Sequence, residues 1–254
     1  MSKTIVMIHG MWGGAWYWEN FRYFFEAKGY RCHTPLLRYH DVDPQDPPNP
    51  NLGTVSLLDY ADDLESYIHS LDEKPILFGH SMGGLLAQIL GARGLAERLV
   101  LLTPASPRGI NALTVSVIRS FWDVITRWRF WRNPHRLTLN AAVYAMMHLL
   151  SPDDQRAVHE RMVHESGRAA FEIGFWYMDP KSASRVDESK MACPVLVVAG
   201  SKDRITPASV VQKVARKYQP VSTYKAFDNH AHWIMGEPGW QAVAEFIDGW
   251  MGSV

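Results

Sequence analysis

Short, uninterrupted apolar runs alternate along the chain with stretches whose apolar residues recur every three or four positions. The runs Thr4 to His9, Pro75 to Gly79, Leu99 to Thr103 and Pro194 to Gly200 are rich in Val, Ile, Leu and Phe, and turn residues bound each of them. Runs of that length, apolar on both alternating faces, predict strands covered on both sides of a sheet. Two weaker runs, Tyr30 to Leu36 and Val221 to Phe227, extend the same sheet. Leu57, Tyr60, Ala61, Leu64, Tyr67, Ile68 and Leu71 stand at helical spacing, with Asp59, Asp62, Asp63 and Glu65 on other faces and Ser56 in place as the N-cap. Val243, Phe246, Ile247 and Trp250 repeat the pattern after Pro238, which suits a helix's first turn. Strands alternating with helices predict βαβ units and a mostly parallel sheet, an α/β fold.

The alternation stops between Ala105 and Asp187. That stretch is rich in Trp, Met and Arg, and Ile118, Phe121, Trp122, Ile125 and Trp128 keep helical spacing within it. Ser151-Pro152-Asp153-Asp154 marks a helix start, and nothing there reads as a strand. The expectation is a helical cap at 107–186, inserted into a core built from 1–106 and 187–254. Pro44, Pro47, Pro48 and Pro50 make Asp41 to Gly53 an irregular loop.

The chemistry-bearing segment is Gly79-His80-Ser81-Met82-Gly83-Gly84, which follows one strand and precedes the helical run Leu85 to Arg93. It matches G-x-S-x-G in the strand-turn-helix setting that the motif requires. A serine there sits on a sharp turn at a helix N-terminus, where free N–H groups and the helix dipole favour developing negative charge. Such a nucleophile needs a base, and the base needs an orienting acid. Asp203 lies just past the end of one strand and His232 past the end of another, in the chain order Ser81, Asp203, His232. Two alternatives stay open: His230 as base in place of His232, and Asp228 as acid in place of Asp203. His80 and His9 read as structural, the one packed beside the serine and the other shaping the loop after the first strand.

Four pieces, His9-Gly10, Gly-His-Ser-Met-Gly at 79–83, Gly-Ser-Lys-Asp at 200–203 and Ala-His-Trp at 231–233, resemble the α/β-hydrolase superfamily over nearly the whole chain. The likeness is to its serine esterase branch, the carboxylesterases and lipases. It implies a parallel sheet flanked by helices with an inserted helical cap, and an oxyanion hole formed by the backbone N–H groups of Met11 and Met82. It also implies cofactor-independent cleavage of small to medium hydrophobic carboxylic esters through an acyl-enzyme. The segment His9 to Trp16 also resembles the esterase and hydroxynitrile lyase branch. Plant hydroxynitrile lyases, however, carry threonine after the first-strand histidine and lysine after the catalytic one, where this chain has Gly10 and Trp233. Carbon–carbon or cyanohydrin cleavage on the same triad, and a non-catalytic ligand receptor on this fold, are the alternatives carried forward.

Composition narrows the partners. With 26 basic and 26 acidic residues the net charge is zero, so the whole chain gives no electrostatic reason to expect nucleic acid or an anionic membrane. The arginine- and tryptophan-rich run Arg127 to Arg132 is the local exception, and it reads either as a site for an anionic or lipid partner or as aromatics packing the cap with solvated arginines. Trp12, Trp16, Trp122, Met146, Met147, Phe175 and Trp176 are candidates for an apolar substrate pocket. His159 and His164 are five apart, about 140° around a helix, which is wrong for a zinc pair. No nucleotide, flavin or metal motif is present, so no cofactor is expected. Cys32 and Cys193 read as reduced core thiols. The start of the chain shows no secretory leader pattern, and Ala141 to Leu150, the longest near-apolar stretch, falls short of the ~20 residues that span a bilayer, so the expected location is cytoplasmic. A homodimer stays open.

Overall fold

The computed structural model describes residues 3–253. Six strands, β1 (Thr4–Ile8), β2 (Arg31–His33), β3 (Ile76–His80), β4 (Arg98–Leu102), β5 (Val195–Gly200) and β6 (Ser222–Phe227), form one sheet in the order β2-β1-β3-β4-β5-β6. Every pairing is parallel. The strands β1, β3 and β5 are buried at every residue, which is why their runs are continuously apolar. The edge strands are only partly covered, and that half-burial explains their weaker signal.

Helices cover both faces: α1 (Glu19–Ala27), α2 (Leu57–His69), α3 (Met82–Ala92) and, later in the chain, α9 (Ala208–Lys217) and α10 (Trp240–Ser253). α2 starts on a capping box, with Ser56 Oγ accepting from a backbone N–H and Asp59 accepting from the Ser56 N–H. α3 is buried from Met82 to Gly91, consistent with its run of Gly, Leu, Ala and Ile. Pro238 does not open α10, which begins two residues later at Trp240. Cys32 and Cys193 are free, half-buried thiols packed against the core, and burial pushes both thiols up, Cys32 to about 12.

Between β4 and β5 short helices alternate with irregular chain: α4 (Val115–Ser120), α5 (Trp122–Ile125), α6 (Leu139–Ala142), α7 (Pro152–Arg161) and α8 (Gly167–Gly174). A π turn, Val143–Met147, continues α6. One isolated antiparallel bridge, His135 with Glu165, pairs two of the irregular parts. The helical spacing of Ile118, Phe121, Trp122, Ile125 and Trp128 is realised as two short helices that break at Phe121, and Trp128 falls outside both. α7 starts on Ser151, whose side chain accepts from the Asp154 N–H.

Glu172 of α8 joins this segment to the start of α2. Its buried carboxylate accepts from the Ser56 hydroxyl and, at 2.8 Å, from the Leu57 N–H at the start of α2. A carboxylate at that end of a helix also meets the favourable end of its dipole. No helix among the described residues is long and apolar enough to cross a membrane.

Candidate active site

Ser81 links β3 to α3 with φ 54° and ψ −119°, a strained conformation for a non-glycine residue. Neighbouring backbone holds it there: the Ser81 N–H donates to the Leu102 carbonyl at 3.1 Å, and its own carbonyl accepts from the Ala105 N–H at 2.8 Å. The flanking glycines follow from packing. A Cβ on Gly79 would lie 2.3 Å from the Gly83 carbonyl oxygen, and one on Gly83 would lie 2.2 Å from that of Ile8. Both obstacles are backbone, so any larger residue would push α3 off the sheet.

The C-terminal ends of β5 and β6 deliver the other two residues to the same edge of the sheet. His232 Nδ1–H donates to Asp203 Oδ2 at 2.8 Å, and both side chains are buried. Asp203 Oδ1 accepts from the N–H groups of Ile205 and Thr206 at 2.8 and 2.9 Å, and the Thr206 hydroxyl lies 2.7 Å from Oδ2. The carboxylate is therefore fixed in orientation, and the proton it holds on Nδ1 leaves Nε2 of a neutral His232 as an acceptor. Two side chains grip the His232 carbonyl: His80 Nε2–H donates to it at 2.9 Å and the Thr103 hydroxyl at 3.0 Å. Burial, followed by the nearness of His232, holds His80 well below the ordinary histidine range, so it stays neutral beside the other ring.

His230 is buried rather than exposed. Its Nδ1 lies 3.3 Å from Glu237 Oε2, which also accepts from the Ala231 N–H at 2.7 Å. Asp228 sits in the turn after β6, where its carbonyl accepts from the Ser201 hydroxyl. The structure thus brings Asp203 to His232, and holds His230 on Glu237.

Met11 and Met82 line the cavity that Ser81 opens into. Met82 is the first residue of α3, so its N–H has no partner within the helix. The loop carrying Met11 is braced on several sides. The Leu37 N–H donates to His9 Nε2 at 3.2 Å, which puts the His9 proton on Nδ1, where it donates to the Gly10 carbonyl at 2.9 Å. Burial first, then His40, lowers the His9 pKa to about 3, in keeping with that neutral tautomer. Tyr17 donates its hydroxyl to the Met11 carbonyl at 3.1 Å, and Trp12 donates its indole N–H to His135 Nδ1 at 3.2 Å.

Behind this loop lies a buried ion pair. His40 Nε2–H donates to Glu165 Oε2 at 3.1 Å, and Nδ1–H donates to the Arg38 carbonyl at 3.0 Å. Both ring nitrogens face acceptors, so the ring is an imidazolium. Burial pulls the His40 pKa down, but the charge and hydrogen bond of Glu165 outweigh it and raise the value. Burial likewise pushes Glu165 up, and it is overcome by His40 together with the Ser166 N–H and Tyr60 hydroxyl at 2.6 and 2.7 Å, so its pKa is lowered. His9 and His40 are ring neighbours, 5.1 Å apart, and His135 pairs with Glu165 through the backbone.

The cavity has a volume of about 200 Å³ and reaches from Ser81 into the insertion. Its walls are Ile110, Val117, Ile118, Phe121, Ile125, Phe130, Ile173 and Phe175 among others; Ser81, Ser106, Asn111, Tyr177 and Thr206 bring polar groups, and no lining residue is charged. Of the pocket candidates from the sequence, Phe175 and Trp176 line it. Trp12 is buried behind the loop against Phe121 and His135. Trp16 borders a separate depression with Trp233 and Trp240. Met146 and Met147 are buried in the π turn, and Trp122 faces solvent. The missed walls are mostly aliphatic, and the helical spacing of Ile118, Phe121 and Ile125 was the available signal. His159 donates Nε2–H to the Leu137 carbonyl, and no cluster of three metal-type ligands occurs among the described residues.

The family model described as the alpha/beta hydrolase family matches residues 5–246. The chain belongs to that family. Methylesterase 8 of Arabidopsis thaliana is 33% identical over 92 residues, a stretch covering 35% of this chain and 32% of that protein. The chain therefore matches about a third of the length of this curated relative. The crystal structure of the methylesterase MES16 from Arabidopsis superposes with a TM-score of 0.75 at 14% identity, covering 99% of this chain and 100% of the other. A pyrethroid hydrolase from Sphingobium faniae JZ-2 gives 0.68 at 17% identity, over 98% and 97% of the two chains. At these identities the structural likeness shows the shared fold.

Proposed function

We propose that this hydrolase cleaves neutral, small to medium hydrophobic carboxylic esters with Ser81 as nucleophile, His232 as base and Asp203 as the orienting acid. The observation that carries the proposal is the buried Asp203–His232 hydrogen bond at the same sheet edge as the strained Ser81, which opens into an uncharged apolar cavity. His232 takes the Ser81 proton as Oγ attacks the ester carbonyl, and the Met11 and Met82 N–H groups stabilise the oxyanion. His232 then protonates the departing alcohol. Water, deprotonated by His232, attacks the acyl-enzyme, and release of the acid restores Ser81. In this scheme residues 107–186 act as the cap, and their walls select the ester. The esterase names among the relatives are in keeping with this chemistry.

Gly10 favours hydrolysis over the cyanohydrin-cleaving alternative. A Cβ at this position would lie 2.9 Å from His80 Nδ1 and 3.0 Å from Ser81 Cβ, so a threonine side chain has no room in this arrangement. The test is a panel of chromogenic esters of graded acyl length, with a cyanohydrin included, run on the native protein and on Ser81→Ala. Ester turnover that vanishes with Ser81 is expected; turnover untouched by the substitution, or cleavage of the cyanohydrin alone, would refute the proposal.

A further inference from the structure

The zero net charge conceals an uneven distribution. Residues 107–136 contain Arg108, Arg119, Arg127, Arg129, Arg132 and Arg136 against the single acid Asp123, a formal +5 within a neutral chain. Arg108 and Arg136 hydrogen-bond backbone carbonyls, and Arg119 lies over the Tyr144 ring. Arg127, Arg129 and Arg132 are exposed and have no ion pair among the described residues, unlike Arg156, Arg161 and Arg168 further along the insertion.

The exposed apolar side chains gather in the same region. Of the eleven large ones among the described residues, eight lie at 113–131 and 177–178. Trp128 is 86% exposed, and Phe130, buried against Phe171 and Phe175, anchors the turn that turns Trp128 and Trp131 outward. The patch is continuous with the cavity mouth, since Leu113, Ile118 and Tyr177 are exposed and also line the cavity. Tyr177 touches Phe175, Phe175 stacks on Phe171, and Phe171 reaches Trp131.

We infer that this rim docks on an anionic lipid surface. Unpaired arginines complement lipid phosphates, while exposed tryptophans and aliphatic side chains suit the boundary between headgroups and acyl chains. Docked in this way, the cavity mouth faces the bilayer and receives esters dissolved in it. This delivery step rests on the ester-hydrolase proposal; the docking itself does not.

Flotation with vesicles tests the docking, using phosphatidylcholine alone and phosphatidylcholine mixed with phosphatidylglycerol. The native protein and Ser81→Ala should both float with the mixed vesicles and much less with the neutral ones, and added salt should weaken the association. Replacing Arg127, Arg129 and Arg132 together by Gln should weaken partitioning on the order of a hundredfold, at about 1 kcal/mol per arginine. Trp128→Ala should reduce binding to both vesicle types, and because Trp128 and the three arginines are exposed these variants should keep the native melting temperature. Failure of the native protein to float, or equal binding to both vesicle types, overturns the proposal. So does a dimer in solution that Trp128→Ala dissociates without any vesicle binding, which would assign the face to a second copy of the chain. Vesicle binding with no ester turnover would leave the docking in place and refute only the delivery step.

Discussion

Glu165→Gln is a sharp perturbation because it keeps the shape of the side chain and removes one charge. In the native protein Glu165 and His40 are fully buried partners, and the Tyr60 hydroxyl and Ser166 N–H complete the carboxylate's contacts. Removing one partner strands the other charge, which costs about 3–5 kcal/mol at such sites. For a chain of this size that corresponds to a fall in melting temperature of roughly 6–20 °C. The cost depends on pH in a defined direction. His40 is raised above its ordinary 6.5, so its contribution is complete below that pH and is lost as pH rises through its folded value. Glu165 is lowered below 4.5, so its contribution is complete above that pH and is lost as pH falls through its folded value. The pair is therefore worth most between 4.5 and 6.5, and the penalty of Glu165→Gln should be largest there and shrink as pH rises. Urea unfolding of the native protein, Glu165→Gln, His40→Phe and the double variant, across that range and above it, measures both the penalty and the coupling. A coupling below about 0.5 kcal/mol, or a penalty that grows with pH, would refute the ion-pair assignment.

Other outcomes follow from the site. A fluorophosphonate should modify Ser81, read by peptide mass spectrometry, and Ser81→Ala and His232→Ala should each lower turnover by about 10⁴–10⁶-fold because triad members act as a unit. His230→Ala should retain substantial turnover in the same assay, since that ring is held on Glu237 away from the chemistry; the reverse ranking, with both variants folded, would move the base to His230. Asp203→Asn should cost about 10⁴-fold by presenting the wrong His232 tautomer, without loss of secondary structure by circular dichroism. Gly10→Thr should lower kcat rather than raise KM alone, because the new side chain presses on His80 and Ser81. Phe175→Ala should shift the acyl-length optimum in the ester panel upward by enlarging the cavity, while short esters keep their turnover.

The central sheet was legible because strands buried on both faces carry nearly continuous apolar runs, and β1, β3 and β5 read that way apart from Thr4 and His80 at their ends. β2 was overestimated: a run extending from Tyr30 to Leu36 yields three paired residues, Arg31–His33, because the chain leaves the sheet edge there. Ser81 was legible for a different reason. Its glycines are imposed by backbone so close that an added Cβ would lie 2.2 or 2.3 Å from a carbonyl oxygen, so only one residue type fits and the local sequence carries the geometry. The choice between His230 and His232 was not local, since it depends on which ring meets Asp203 and which meets Glu237.

The cavity walls show the opposite case. A tryptophan in a helical insertion can line a pocket, pack the core or face solvent, and nothing in its neighbours along the chain distinguishes the three. Trp176 lines the cavity whereas Trp122 and Trp128 face solvent, and Trp128 does so because the helix ends at Ile125, before reaching it. Glu165 was hidden for the same reason. Its partners His40 and Tyr60 lie 125 and 105 residues earlier, so a carboxylate fully buried by tertiary contacts looks in sequence like any exposed one. Residues constrained by their own turn can be recognised from the chain, whereas residues constrained by distant partners become visible only when the insertion is seen against the core. The contacts His40–Glu165 and Ser56–Glu172, each between residues more than a hundred positions apart, are of that second kind.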